Sequence, residues 1–129
     1  TNSTGGEPLA YEIFDTALRD LAGVGTAPLP VPPSDPAPID DRLCGTYRST
    51  LYDTTLAVEG DRAYLTHHPR GDLAASFPRN RDEVVRLGAT SIITGDPKSG
   101  GHQVFSLVGS DDQGRPRFLH NGAAAYRIA

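Results

Sequence analysis

Between Gly45 and Ile128 the chain is divided into short runs rich in Val, Ile, Leu, Tyr, Phe and Thr, and each run is closed by Gly, Pro, Asn or Asp. Such runs are typical of strands that are joined by tight turns. We therefore predict an antiparallel barrel or sandwich of about eight strands with up-and-down connections. Nine runs qualify as strands, and we expect one of the weaker middle runs to be lost. The runs are 46–51, 54–59, 62–67, 73–77, 83–87, 91–94, 104–108, 117–120 and 123–128.

The turns between these runs indicate how the strands connect. Segments 59–61 and 111–114 separate alternating runs, and Asn121-Gly122 tolerates a positive φ at both positions of a hairpin turn. Strands joined by such short turns favour a meander. Because side chains alternate between the two faces of a strand, one face should form the core. The residues predicted on that face are Leu56, Val58, Ala63, Leu65, Phe105, Leu107 and Phe118.

The beginning of the chain has a helical pattern instead. Apolar residues recur every three or four positions from about Glu7 to Ala22, and Gly23 follows as a stop signal. A helix of about four turns is marginal alone in water. Its apolar side must therefore bury against the barrel, a further domain or a second chain. We call this side the helix stripe, and its main members are Leu9, Ile13, Phe14 and Leu18.

A proline-rich segment separates this helix from the predicted strands. Six prolines lie between Pro28 and Pro38. Because proline fixes φ and has no amide donor, we expect an extended, semi-rigid linker. A ligand for an SH3-type groove is the alternative, since segment 30–33 loosely fits Pro-x-x-Pro. The predicted organisation is a terminal helix in residues 1–24, a linker in 25–42 and a barrel in 43–129.

Composition excludes several classes of function. The chain has 12 basic and 16 acidic residues, for a net charge of -4, and neither sign forms a run. We therefore expect no nucleic-acid partner. No apolar run approaches the roughly 18 residues of a membrane span, so no membrane insertion is expected. Cys44 is the only cysteine, which excludes an intrachain disulfide and leaves the cellular compartment open.

The four histidines are the obvious candidates for a metal site. Adjacent His67 and His68 should point to opposite faces of a strand. Together with His102 and His120 they lack the spacing of metal ligands. We therefore expect these imidazoles to face solvent or the barrel rim.

Two carboxylate pairs are candidates for general acid and base chemistry. Asp82-Glu83 and Asp111-Asp112 both lie beside predicted turns, where solvated charge is the ordinary explanation. With these interpretations, the sequence predicts no catalytic, cofactor-binding or metal-binding residue.

Several motifs occur in an order that identifies a family resemblance. Gly45-Thr46-Tyr47 opens the barrel, segment 58–65 forms a hairpin, and segment 114–120 leads to a closing Arg127. In this order they resemble the lipocalin-like C-terminal domain of bacterial serine hydrolases of the β-lactamase, penicillin-binding-protein and esterase class. Residues 1–24 are similar to the last helix of the catalytic domain in such enzymes.

The resemblance implies a non-catalytic accessory domain that packs on an upstream catalytic domain and shapes substrate access. Acylation in that class needs a Ser-x-x-Lys motif, whose lysine takes the proton of the serine hydroxyl. The sequence contains no Ser-x-x-Lys. Lys98-Ser99-Gly100 imitates a strand motif of the class, but it follows Asp96-Pro97 and should lie in a turn. We therefore expect no enzymatic activity from this chain.

The alternative function is a barrel that binds a small lipid-like or peptide-like molecule, because a closed eight-stranded barrel can hold one ligand. The interior is either roomy or filled by Tyr47, Tyr64, Phe105 and Phe118. For the helix stripe, a second copy of the chain is the other candidate partner.

Overall fold

The computed structural model describes residues 6–129 and confirms the predicted fold class. Helix α1 (Gly6–Ala22) and an extended proline-rich segment come first. The described chain then forms eight strands that close into one antiparallel barrel, in which each strand pairs with its neighbours in sequence. The strands are β1 (Gly45–Arg48), β2 (Tyr52–Glu59), β3 (Arg62–Pro69), β4 (Asn80–Gly88), β5 (Ser91–Thr94), β6 (Val104–Ser110), β7 (Pro116–Asn121) and β8 (Ala123–Arg127).

Helix α1 exposes most of its apolar side. Phe14 is 67% exposed, and even Leu18, the least exposed member of the helix stripe, is 38% exposed. The helix is bonded to the segment that follows it, because the Asp15 carboxylate accepts hydrogen bonds from the Thr26 hydroxyl at 2.6 Å and backbone N–H at 3.0 Å. These bonds lower the pKa of Asp15.

The predicted helix is therefore confirmed, while the partner of its stripe stays a prediction. The predicted terminal unit also includes residues 1–5, which lie outside the described residues. No helix in the described part of the chain has the length and apolar character that a membrane span requires.

The hydrophobic core fills the barrel interior. Its fully buried side chains include Tyr47, Leu56, Leu65 and Ile92. Inward-facing positions alternate along each strand, which is why most of the predicted face is correct. The predicted core residues that are buried are Leu56, Ala63, Leu65, Phe105 and Leu107.

The prediction that Phe118 lies in the core is wrong. Phe118 pairs with Val108 on the outer surface and is 40% exposed, whereas Leu119 points inward and is 3% exposed. If the inward-facing position of a strand is misassigned by one residue, every side chain of that strand is placed on the wrong face. Val58 lies near the end of β2 and is also exposed, at 41%.

One end of the barrel, which we call the closed end, is covered by the 3-10 helix Asp41–Leu43. The Tyr47 hydroxyl donates to the Leu43 carbonyl at 2.7 Å. Arg127 on β8 then donates through Nη1 to the Tyr47 hydroxyl at 3.1 Å and through Nη2 to the Cys44 carbonyl. A single cation thus joins the last strand, the first strand and the chain entering the barrel.

The entry to the 3-10 helix is fixed by a local ion pair. The Asp40 carboxylate accepts from the Arg42 guanidinium and from the Arg42 backbone N–H. These hydrogen bonds lower the pKa of Asp40 to about 2. Ile39 packs against the core, and the Arg86 guanidinium donates to the Pro38 carbonyl. The end of the linker is therefore part of the closed end.

The strand predicted at 73–77 is wrong, because this segment contains the short helix α2 (Leu73–Ser76). β3 and β4 pair directly with each other, so no strand lies between them. The segment therefore serves as the connection between two neighbouring strands, and its two alanines favour helix.

Candidate functional site

The opposite end of the barrel, which we call the open end, contains a cavity of about 900 Å³. It lies among the loops that follow β1, β3, β5 and β7, and it is bounded below by the core. We call this cavity the cup. Residues from the loops after β1, β3 and β5 and from the ends of β7 and β8 line it, so its shape depends on parts of the chain that are far apart in sequence.

Apolar side chains form the floor and one wall of the cup. Phe105 on β6 and Leu119 on β7 are 5% and 3% exposed and line the cavity. Ala123 and Ala125 face it from β8, and Tyr52 faces it from the start of β2. The short alanine side chains leave room that larger residues would fill.

A charged pair lies on the other wall of the cup. Asp82 on β4 has a side chain that is only 10% exposed, and the Lys98 ammonium reaches its Oδ1 atom. The Asn80 side chain donates to the Asp82 Oδ2 atom at 3.0 Å. Both carboxylate oxygens are therefore satisfied, which a carboxylate removed from water requires.

His67 on β3 projects into the cup beside this pair. Its Nδ1 atom lies 3.0 Å from the Thr54 hydroxyl, and its ring centroid lies 6.0 Å from that of Phe105. Burial lowers the pKa of His67 below its ordinary value of 6.5, although the nearby Asp82 carboxylate opposes this effect. The imidazole is therefore neutral at pH 7. When the Thr54 hydroxyl donates to Nδ1, the ring proton lies on Nε2.

The loop between β5 and β6 forms one side of the rim. Lys98 and Gly101 bond to each other across a tight turn, in which Ser99 has a φ of +52°. Helix α1 begins against this turn, since a Cβ atom on Gly100 would lie 2.5 Å from Cγ of Pro8. The beginning of α1 is thus in contact with the rim of the cup.

The four histidines are not brought together. His67 faces the cup, while the adjacent His68 lies on the opposite face of β3, as predicted. His102 bonds to the Thr94 carbonyl at 2.8 Å, and His120 is exposed on β7. Among the described residues, no group of three or more His, Cys, Asp or Glu side chains is arranged to hold a metal ion.

The interpretation of Asp82-Glu83 as a solvated pair is wrong for Asp82. The two side chains alternate across β4, so Asp82 points into the cup while Glu83 points outward and pairs with Arg62. Asp111 does lie in a turn, where it accepts from the backbone N–H of Arg115 at 2.8 Å. This bond lowers the pKa of Asp111.

Sequence reasoning missed two cations of the cup. Lys98 belongs to the predicted turn, which the structure confirms, but its side chain turns back into the barrel. Arg79, between α2 and β4, is exposed and also lines the cup. Because side chains alternate along a strand, Asp82 lies on the same inward face of β4 as Val84. This alternation could have indicated from the sequence that Asp82 points into the barrel.

Comparison with known proteins defines the fold class, an eight-stranded antiparallel barrel preceded by a helix. A solved structure titled "Crystal structure of SurE" superimposes with a TM-score of 0.64 and 21% sequence identity. The match covers 98% of this chain and 28% of that chain, so this chain spans less than a third of the length of SurE. No protein-family model and no curated protein sequence matches the chain.

Proposed function

We propose that the barrel is a binding module for one small amphipathic molecule, which occupies the cup. The observation that supports this proposal best is the cavity of about 900 Å³ at the open end. Ligand sites in proteins are typically concave and mainly apolar, with a few polar groups that fix orientation. The cup has this composition, because apolar Phe105 and Leu119 line it together with polar Asp82, Lys98 and His67.

Filling the cup tests this proposal. Ala123→Leu adds bulk to its wall on β8, whereas Ala89→Leu adds the same bulk to the exposed loop between β4 and β5 at the closed end. Ligands from a panel of amphipathic molecules should raise the melting temperature of the wild type and of A89L by several degrees at 100 times Kd, since linkage then adds about 2.7 kcal/mol. The shift should disappear in A123L. Equal shifts in both variants would place the ligand outside the cup.

A second candidate function is that of an accessory domain in a longer serine hydrolase, which packs on the catalytic domain through the helix stripe. Two observations support a role within a longer protein, whereas the serine hydrolase itself is proposed from the sequence resemblance alone. The stripe is exposed in the described chain, and the similarity to SurE extends over helix, linker and barrel while it covers only 28% of that protein. An exposed apolar face of this kind is typical of an interaction surface.

Activity and association measurements test the second candidate. The chain alone should hydrolyse neither a β-lactam nor a short-chain ester, and burst kinetics with either substrate would overturn the idea. Reading the coding sequence upstream of Thr1 should reveal Ser-x-x-Lys. If a second copy covers the stripe instead, light scattering should find a dimer that Ile13→Glu dissociates and that Arg19→Glu, an exposed position on the side of α1 away from the stripe, leaves intact.

A further inference from the structure

The charges that line the cup are not balanced. The acidic side chain, Asp82, already accepts from the Lys98 ammonium through one oxygen and from Asn80 through the other. The negative charge of Asp82 is therefore already paired with Lys98, and an amine on a ligand would have to share this carboxylate with the Lys98 ammonium.

The donors of the cup, in contrast, are in excess. The Arg79 guanidinium lines the cup and forms no ion pair with any side chain in the described residues. Lys98 has three N–H donors and directs one to Asp82, which leaves the others for a ligand. With two cations and one carboxylate, this side of the cup carries a net charge of +1. Such a surface favours an anion.

His67 adds a neutral donor near these cations. When the Thr54 hydroxyl donates to its Nδ1 atom, Nε2–H is left for an acceptor in the cup. Below this level the walls are apolar, with Phe105, Leu119 and Ala125 among the buried core. The cup is therefore polar and cationic on one side of its upper part and apolar in its lower part.

We propose that the ligand is a carboxylate with an apolar body, its carboxylate held by Arg79 and Lys98 and its body lying against Phe105 and Leu119. This inference rests on the proposed binding function and adds the chemical class of the ligand. A carboxylate accepts two charge-assisted hydrogen bonds, and an arginine can supply both in a bidentate geometry. An alcohol with the same apolar body has the same surface to bury but lacks the charge.

Octanoate and octan-1-ol are suitable probes because they share the same apolar chain. Calorimetric titration of the full chain should show octanoate binding at least roughly tenfold more tightly, because hydrogen bonds to charged groups contribute more than neutral ones. Arg79→Gln should weaken octanoate binding roughly tenfold and leave octan-1-ol binding unchanged. Arg117→Gln removes an exposed cation of β7 that does not line the cup, and it should change neither affinity.

The outcomes separate the ligand class from the binding function. Equal affinities for octanoate and octan-1-ol would overturn the carboxylate assignment and leave the cup as a binding site for apolar molecules. Tighter binding of octylamine than of octanoate would also overturn it, since Asp82 would then be the recognition group. If neither octanoate nor octan-1-ol binds and the panel produces no thermal shift, the binding function itself is wrong.

Discussion

The two ends of the barrel are built from the same strands but differ in how their arginine side chains are bonded. At the closed end, the Arg127 guanidinium is bonded to the Tyr47 hydroxyl and to the carbonyls of Cys44 and Arg42. At the open end, Arg79 forms no ion pair with the described side chains and faces a cavity of about 900 Å³. The cation of the closed end is therefore bonded within the protein, whereas among the described residues Arg79 at the open end forms no ion pair.

The difference can be traced along a single strand. β8 presents Arg127 to the interior at the closed end, and Ala125 and Ala123 towards the open end. A long side chain fills and bonds the interior, whereas a methyl group leaves space. Inward-facing and outward-facing side chains alternate along the whole of β8. The size of the inward-facing side chains therefore decides whether an end of the barrel is filled or hollow.

The largest expected effect comes from truncating a tyrosine at each end. Tyr47→Ala should lower the free energy of unfolding by about 3–5 kcal/mol, because Tyr47 is fully buried in the core. Tyr52→Ala at the cup wall should cost less than ~1.5 kcal/mol, since Tyr52 is only half-buried. Urea unfolding followed by far-ultraviolet circular dichroism measures both. Equal losses would remove the distinction between the two ends.

A matched pair of arginine substitutions sharpens the comparison. Arg127→Gln should lower stability by about 1.5–3 kcal/mol, because three acceptors at the closed end lose a charged donor. Arg79→Gln should change stability by less than ~0.5 kcal/mol, since this exposed side chain forms no ion pair in the described chain. The midpoints of urea unfolding measure both. A larger loss for R79Q than for R127Q would contradict the assigned roles.

The smallest effect concerns protonation of His67. Its pKa is lowered in the folded state by burial, so the unfolded chain takes up the proton first as the pH falls below about 6.5. Stability is therefore complete above that pH and decreases on acidification, by at most ~1.4 kcal/mol per pH unit for one proton. The charged groups near His67 are Asp82 on β4, which raises its pKa, and Lys98 in the β5–β6 loop and His68 on the opposite face of β3, which lower it.

Unfolding experiments at pH 7.5 and 5.5 measure this effect. His67→Gln should flatten the dependence, whereas the wild type and His120→Gln, a substitution at an exposed position of β7, should keep it. The ordinary pKa of an aspartate is 3.8, and the pKa values of Asp40 and Asp53 are lower still in the folded protein. These carboxylates therefore lose their contributions to stability only at a pH below the range of this experiment. A pH dependence unchanged by H67Q would show that another group carries it.

Local sequence patterns were sufficient for the barrel and the helix. Alternation and turn residues depend on neighbouring positions, and these predicted a meander of about eight strands. They failed at Phe118, because two adjacent apolar residues, Phe118 and Leu119, both fit a core position and only pairing with β6 decides between them. They also failed at 73–77, where the connection between paired strands is a helix.

The cup was not predictable in the same way. Asp82 and Lys98 come from separate elements, and only closure of the barrel brings a turn lysine onto a strand carboxylate. Arg79 was equally inconspicuous, since an exposed arginine beside a strand is ordinary. The cavity itself is lined by small residues on β8 together with aromatic residues from other parts of the chain. Contacts between residues that are far apart in the chain leave no pattern in the local sequence.

Closure of the barrel has a further consequence for association. In the described part of the chain every strand has a neighbour on both sides, because β1 pairs with β2 and with β8. Unpaired amides and carbonyls along a free sheet edge are the usual template on which another chain adds a strand. This sheet offers no such edge. A partner must therefore recognise side chains, and growth of a continuous intermolecular sheet would first require the barrel to open.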